Sequence, residues 1–236
     1  MAAARARPDR AAALEQYRRR ADVYDLELRL FEPIRRRAIA LLELKPGQRV
    51  LDVGCGTGLS FAGLRRGVGP SGRIVGIEQS PDMIAKARRR VAQNEWGNVT
   101  LVNAPVADAA IRGRADAALF HFTHDILRDR RAIANVLRHL KPGARVVACG
   151  LKWSRPWAVA VNLAVLAAAR RSVTTLEGLR EPWSHLAGRL DDLRIESAMA
   201  DGVFVATGVV RRPRNGAAGR NAGARRAPLS SARSRR

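Results

Sequence analysis

A doubly wound α/β fold with a mostly parallel sheet is predicted by three features of the 236-residue sequence. Short apolar runs alternate with helix-length segments, a triplet of closely spaced glycines follows the first run, and the last two runs are joined by Asp201-Gly202. Strands that alternate with helices pair in parallel, because each connection crosses the sheet face, whereas a two-residue turn makes an antiparallel hairpin.

The elements follow in order. Residues 9–43 carry Leu14, Tyr17, Ala21, Tyr24 and Leu28 at helical spacing, with Pro33 breaking the pattern before a second helix. Leu44-Lys45-Pro46-Gly47 then turns the chain into a strand at 49–53, and Leu140-Lys141-Pro142-Gly143 repeats the device before a strand at 145–150. Between them, strands are expected at 73–78, 99–103 and 116–121, separated by helices near 60–66, 81–95 and 127–139. Runs such as Val50-Leu51-Asp52-Val53 and Ala117-Ala118-Leu119-Phe120 are almost wholly apolar, as strands covered on both faces must be. Ser80-Pro81-Asp82 reads as an N-cap, a first-turn proline and an acid suited to the helix dipole. Strand-like runs at 194–199 and 203–210 complete the pattern.

Length allows one domain with a sizeable core, not two full ones. The expected organisation is an N-terminal helical segment at 1–44, a core domain at 45–210 with a Trp-rich, helical insertion at 151–190, and an Arg-rich tail at 211–236 without periodicity, expected to be disordered. The net charge of +22 is concentrated toward the ends: the tail holds nine arginines and no acid. With 39 arginines against four lysines, the basic balance reads more as a compositional bias than as a nucleic-acid footprint. Cys55 and Cys149 have no spacing that suggests a disulfide or metal site, and a reducing cytoplasm fits. The apolar run at 156–169, interrupted by Asn162, is too short to span a bilayer, and the N-terminus lacks the apolar core of a secretory leader.

In an open parallel sheet the ligand crevice lies beyond the carboxyl ends of the strands, where the strand order reverses. Gly54, Gly56 and Gly58 would lie there, able to let a nucleotide approach the backbone. Glu78, twenty residues beyond Gly58 at the end of the next strand, is placed to accept hydrogen bonds from both ribose hydroxyls. Asp52 is a carboxylate inside an apolar strand and needs backbone donors or a ligand amine. The third glycine comes one position too early for the G-x-G-x-x-G fingerprint of nicotinamide enzymes.

With these residues in hand, the sequence resembles the class I S-adenosylmethionine-dependent methyltransferases over roughly residues 26–210, most closely at Val50-Leu51-Asp52-Val53-Gly54-Cys55-Gly56-Thr57-Gly58. The resemblance implies a Rossmann-like, seven-stranded sheet in the order 3-2-1-4-5-7-6 with strand seven antiparallel, and S-adenosyl-L-methionine as cofactor. It implies that Asp52 and the first motif, with Cys55 and Thr57, face the methionine part, Glu78 the ribose, and Gln79 with Met83 the adenine rim. The third strand departs from the family pattern: Ala104-Pro105-Val106 stands where an adenine-binding acid is usual, leaving backbone around Val106, or Asp108, to serve.

The cluster Phe120-His121-Phe122-Thr123-His124-Asp125 follows the fourth strand, where substrate-facing groups lie in this family. Methyl transfer needs an aligned nucleophile above all, and a general base only when that nucleophile carries a proton. His121, His124 and Asp125 are the candidate catalytic groups, with His121 also a candidate cofactor contact. Trp153, Trp157 and Trp183 border the expected substrate mouth, and Tyr24-Asp25 is placed to close over the cofactor. The reading is methyl transfer to a small-molecule acceptor, amphiphilic, lipid or quinone-like, in the cytoplasm or at the inner membrane surface. An RNA or protein acceptor served by the basic tail, and a non-catalytic cofactor-binding scaffold, are the competing readings. The tail is suited to weak contact with anionic membrane or nucleic acid; no metal is expected, and homo-oligomerisation is left open.

Overall fold

The computed structural model of the protein describes residues 28–212. The expected helix from residue 9, the pair Tyr24-Asp25 and the tail beyond residue 212 lie outside that range. A 3-10 turn at Leu28–Phe31 leads into helix α1 (Glu32–Leu41), which Pro33 opens. There follow β1 (Arg49–Val53), α2 (Phe61–Val68), β2 (Arg73–Glu78), α3 (Pro81–Gln93), β3 (Val99–Asn103) and a 3-10 turn at Val106–Asp108. The second half runs β4 (Ala115–His121), α4 (His124–Arg128), α5 (Arg130–Arg138), β5 (Leu140–Leu151), α6 (Val159–Ser172), α7 (Ser184–Ala187), β6 (Leu190–Ala198) and β7 (Val203–Val210).

The seven strands form one sheet in the order β3-β2-β1-β4-β5-β7-β6. The first five pair in parallel, and β7 lies antiparallel to both β5 and β6. Strand alternation divides the core into two layers. Leu51, Val53, Phe120, Val146 and Phe204 pack with Ile133 and Val136 of α5 and Leu186 of α7. On the other face Val50, Leu119, Val147 and Val205 meet Ile34 and Ala38 of α1, Phe61 and Leu64 of α2, and Val165 and Ala169 of α6. Among the described residues, no helix is long and apolar enough to cross a membrane.

Three local expectations are corrected. Lys141-Pro142-Gly143 is not a free turn but a bulge inside β5, where the register slips between the pairs Ala115↔Leu140 and Ala117↔Arg145 and Gly143 takes a φ of 80°. The single helix expected at 127–139 is two helices, because Asp129 leaves helical backbone and its side chain caps α5 at Arg131 N. Strand β6 begins four residues early, at Leu190, with its own register slip between Asp191 and Arg194.

Gly58 shows why the loop after β1 is fixed. Its φ is 80°, and a Cβ there would lie 2.4 Å from the ring of Phe61, a fully buried side chain. Gly58→Ala is therefore expected to destabilise the fold by about 1–3 kcal/mol through overpacking and backbone strain, read as a lower urea midpoint at unchanged m-value. An unchanged midpoint would mean that the Phe61 ring is free to move aside.

Candidate functional site

The chain leaves β1 toward β2 and β3 on one side, then returns to β4 and β5 on the other, so the carboxyl ends of β1 and β4 form the switch point of the sheet. Around it lie a cleft of about 620 Å3 and, beside it, a smaller recess of about 300 Å3 that share Gly54 and Gly56.

The larger cleft is lined by Glu78, Gln79, Met83 and Val106 on one side and by Phe122, Thr123, His124, Asp125 and Ile126 on the other. Glu78 ends β2 with its carboxylate turned back onto backbone donors: Gly56 N donates at 3.1 Å and Ser80 N at 2.8 Å. Burial pushes its pKa up, while the backbone donors of Ser80, Gly56 and Gln79 hold it down. Each carboxylate oxygen has two lone pairs, so acceptor capacity remains for a diol in the cleft. Ser80 in turn caps α3 through Met83 N, which fixes where Gln79 and Met83 meet the cleft.

The smaller recess is lined by Arg35, Asp52, Cys55, Thr57, Leu59, Ser60 and His121. Alternation explains the grouping. Asp52 shares the face of Val50, and His121 the face of Leu119, so both point to the layer that holds α1. Arg35 reaches them from α1, where it is 5% exposed and ion-paired with Glu32. Its Nε and Nη2, Oδ2 of Asp52 and Nε2 of His121 are all buried without a hydrogen-bond partner in the protein. Burial raises the Asp52 pKa to about 7, opposed by Arg35 and aided by Glu78. Burial, with Arg35, lowers that of His121 to about 3, so its ring is neutral at physiological pH. Burial also pushes the Cys55 thiol well up, which excludes a thiolate there. The recess thus holds, side by side, two buried guanidinium donors and a buried carboxyl oxygen that the protein leaves without hydrogen-bond partners.

Between the two spaces the chain leaves β4 through Phe122, a non-glycine residue at φ 54°, whose ring lies tilted 4.5 Å from that of Phe31 and 4.9 Å from that of His121. His124 Nε2 lies 3.0 Å from the carbonyl oxygen of Glu177. A carbonyl only accepts, so Nε2 carries the proton and Nδ1 is left as a buried acceptor without a partner. Burial lowers the pKa of this ring to about 4. Asp125 accepts from Thr174 N and, at 2.9 Å, from Thr174 Oγ1; burial raises its pKa and these bonds oppose the rise. Its carboxylate thus ties the segment after α6 to the cleft wall.

The sequence-predicted residues Asp52, Gly54, Cys55, Gly56, Thr57, Glu78, Gln79, Met83, Val106, His121, His124 and Asp125 all line one of the two spaces, and Gly58 lines neither. Arg35 escaped the sequence reading. One cation among 39 arginines carries little weight, although an arginine next to Ile34 and one turn before Ala38 on a buried helix face was the available signal. Trp183 lines neither space: it is half-buried and packs 5.2 Å from Phe204, while Trp157 is 75% exposed. Among the described residues, no group of His, Cys, Asp and Glu could hold a metal.

Residues 50–143 match a protein family described as a methyltransferase domain. The arsenite methyltransferase of Halobacterium salinarum is 31% identical over 50% of this chain and 31% of its own length. The nocamycin O-methyltransferase of Saccharothrix syringae is 31% identical over 54% of this chain and 47% of its own. The chain thus spans less than half the length of these relatives. Among solved structures, the N-methyltransferase NodS from Bradyrhizobium japonicum in complex with S-adenosyl-L-homocysteine superposes with a TM-score of 0.56 at 17% identity, over 77% of this chain and 88% of that one. Through the family match at residues 50–143 and the sheet order β3-β2-β1-β4-β5-β7-β6, the chain is similar to the class I S-adenosylmethionine-dependent methyltransferases.

Proposed function

We propose that the chain transfers a methyl group from S-adenosyl-L-methionine, the cofactor of the family it resembles, to a small or amphiphilic acceptor bound in the larger cleft. The observation that carries this reading is the convergence, at one switch point, of the Glu78 bridge with the unpartnered Nε and Nη2 of Arg35 and Oδ2 of Asp52. These residues fit the cofactor: Glu78 would accept from the ribose hydroxyls, Asp52 would meet the methionine ammonium and Arg35 its carboxylate. Gly54, Cys55, Gly56 and Thr57 would line the path between them, with Gln79, Met83 and Val106 around the adenine. Bound there, the cofactor supplies an electrophilic methyl carbon.

What the protein adds is alignment and exclusion of water. Phe122 and Ile126 give the cleft an apolar wall, and the similarity to the nocamycin O-methyltransferase supports a small-molecule acceptor. His124 is prepared to accept a hydrogen bond from an acceptor hydroxyl, since the Glu177 carbonyl fixes its tautomer with Nδ1 unprotonated, while burial, which lowers its pKa to about 4, makes it a weak proton acceptor. Asp125 would act through Thr174, by holding the wall, and His121 would border the methionine end.

Calorimetry with S-adenosylmethionine and S-adenosylhomocysteine tests the reading. The unmutated protein is expected to bind both, Gly56→Arg and Glu78→Ala to bind at least about tenfold more weakly, and Arg35→Leu to lose a similar amount. Absence of binding in the unmutated protein would sink it.

A second expectation follows from Asp52, whose folded pKa of about 7 stands above its ordinary value of 3.8. Below the ordinary value both states hold the proton; as pH rises toward 7 the unfolded chain ionises first, so this side chain increasingly disfavours the cofactor-free fold. Asp52→Asn should therefore be the more stable protein at pH 8 in urea unfolding, and its advantage should shrink as pH falls from 7 toward 4. An advantage that is constant across that window would contradict the buried, uncompensated carboxyl.

A further inference from the structure

Helix α6 has an apolar face on both sides. Val165 and Ala169 point inward and are buried, and Val161 and Val165 touch the hairpin turn at Gly202. The opposite face, formed by Val159, Ala160, Leu163, Ala164 and Ala167, is exposed. These positions recur at three- and four-residue spacing and make one stripe. Val159 and Leu163 are each 61% exposed, and Trp157 just before the helix is 75% exposed. A helix apolar all round is ordinarily buried, and exposed apolar surface gathered in one place marks a contact.

Charge selects the partner. From residue 153 to 176 there are three arginines, Arg155, Arg170 and Arg171, and no acid; the preceding Lys152 is buried and neutralised by Asp201. Arg155 lies over the Trp157 ring at 5.8 Å, which sets a guanidinium beside the most exposed aromatic group of the stripe. Size argues against a second copy of the chain: a stripe of 14 residues is about 21 Å long and one helix wide, roughly 200–300 Å2, against about 800 Å2 per partner in a standard interface. An apolar stripe with tryptophan at one end and arginines at its ends suits the boundary between headgroups and acyl chains.

We propose that the outer face of α6, with Trp157 and Arg155, docks the protein onto an anionic lipid surface. Position gives this docking a consequence, which rests on the methyltransferase reading. The chain leaving α6 is anchored at Thr174 to Asp125 and at Glu177 to His124, both in the cleft wall. Seating α6 in the interface sets the cleft beside the bilayer, so the acceptor is an amphiphile drawn from the membrane.

The experiment is co-sedimentation of the full chain with phosphatidylcholine vesicles, with and without about one third phosphatidylglycerol, at low and physiological salt. The protein is expected to bind the anionic vesicles with a blue shift of tryptophan emission that Trp157→Phe removes. The double variant Trp157→Ser, Leu163→Gln should lose roughly tenfold or more in partitioning. Unchanged calorimetric binding of S-adenosylmethionine by that variant keeps the lipid result separate from the cofactor reading. Equal vesicle binding by the double variant would overturn the proposal and assign the attraction to the Arg-rich tail. Equal binding to vesicles without phosphatidylglycerol would overturn the role of charge. Concentration-dependent dimerisation that the double variant abolishes, without vesicle binding, would give the face to a second copy. Shielding of Trp157 from acrylamide before any vesicle is added would give it to residues 1–27 of the same chain.

Discussion

The geometry of the site depends on one carboxylate. Glu78 ends β2 and accepts backbone hydrogen bonds from Gly56 and Ser80, so a single side chain fastens the glycine loop after β1 to the first turn of α3. Loop and helix start are both segments whose backbone donors would otherwise lack partners, and a carboxylate satisfies two of them where a neutral group would do so more weakly. The cleft is consequently shaped before any ligand arrives. Because backbone donors occupy only part of its acceptor capacity, the same group can serve as structural clasp and as binding group.

A second constraint is the strict alternation of the strands. Leu51 and Val53 belong to one core layer and Val50 to the other, which forces Asp52 into the layer of α1, and the same rule sends His121 there from β4. Arg35 meets them because Ile34 and Ala38 seat α1 on that face. Three polar side chains thus stand within an apolar layer with atoms unpartnered by the protein, a costly arrangement for the empty fold. Such cost is typical of sites whose partner arrives from outside.

The wall across the cleft is organised differently. It depends on a strained residue, Phe122, and on two long-range ties, Asp125 to Thr174 and His124 to Glu177, rather than on strand register. These ties couple the wall to α6, whose inner face is core and whose outer face is exposed and apolar. The side of Glu78 and the glycine loop is made of sheet ends; the opposite wall belongs to connecting segments with more freedom to differ between relatives.

Much of this was legible in the residues. The limits of β1, β2, β3 and β7, the cap at Ser80 and the gathering of the first motif with Glu78 follow from local rules: apolar runs make strands, glycine permits positive φ, and spacing along βαβ units places the next strand end. Local rules failed where a distant partner decided. Lys141-Pro142-Gly143 became a bulge because β4 already ran alongside it, and Asp125, free to serve as a base in the sequence, is held by Thr174 forty-nine residues away. Gly58 proved to make room for Phe61 rather than to line either space. The sequence by itself determined the strands and the glycine loop after β1, because those rest on periodicity and backbone sterics, while the strand order came from the resemblance to a family. Only the tertiary structure decided that Arg35 faces Asp52, which proton His124 carries, and that α6 turns an apolar face outward, because each depends on groups far apart in the chain meeting in space.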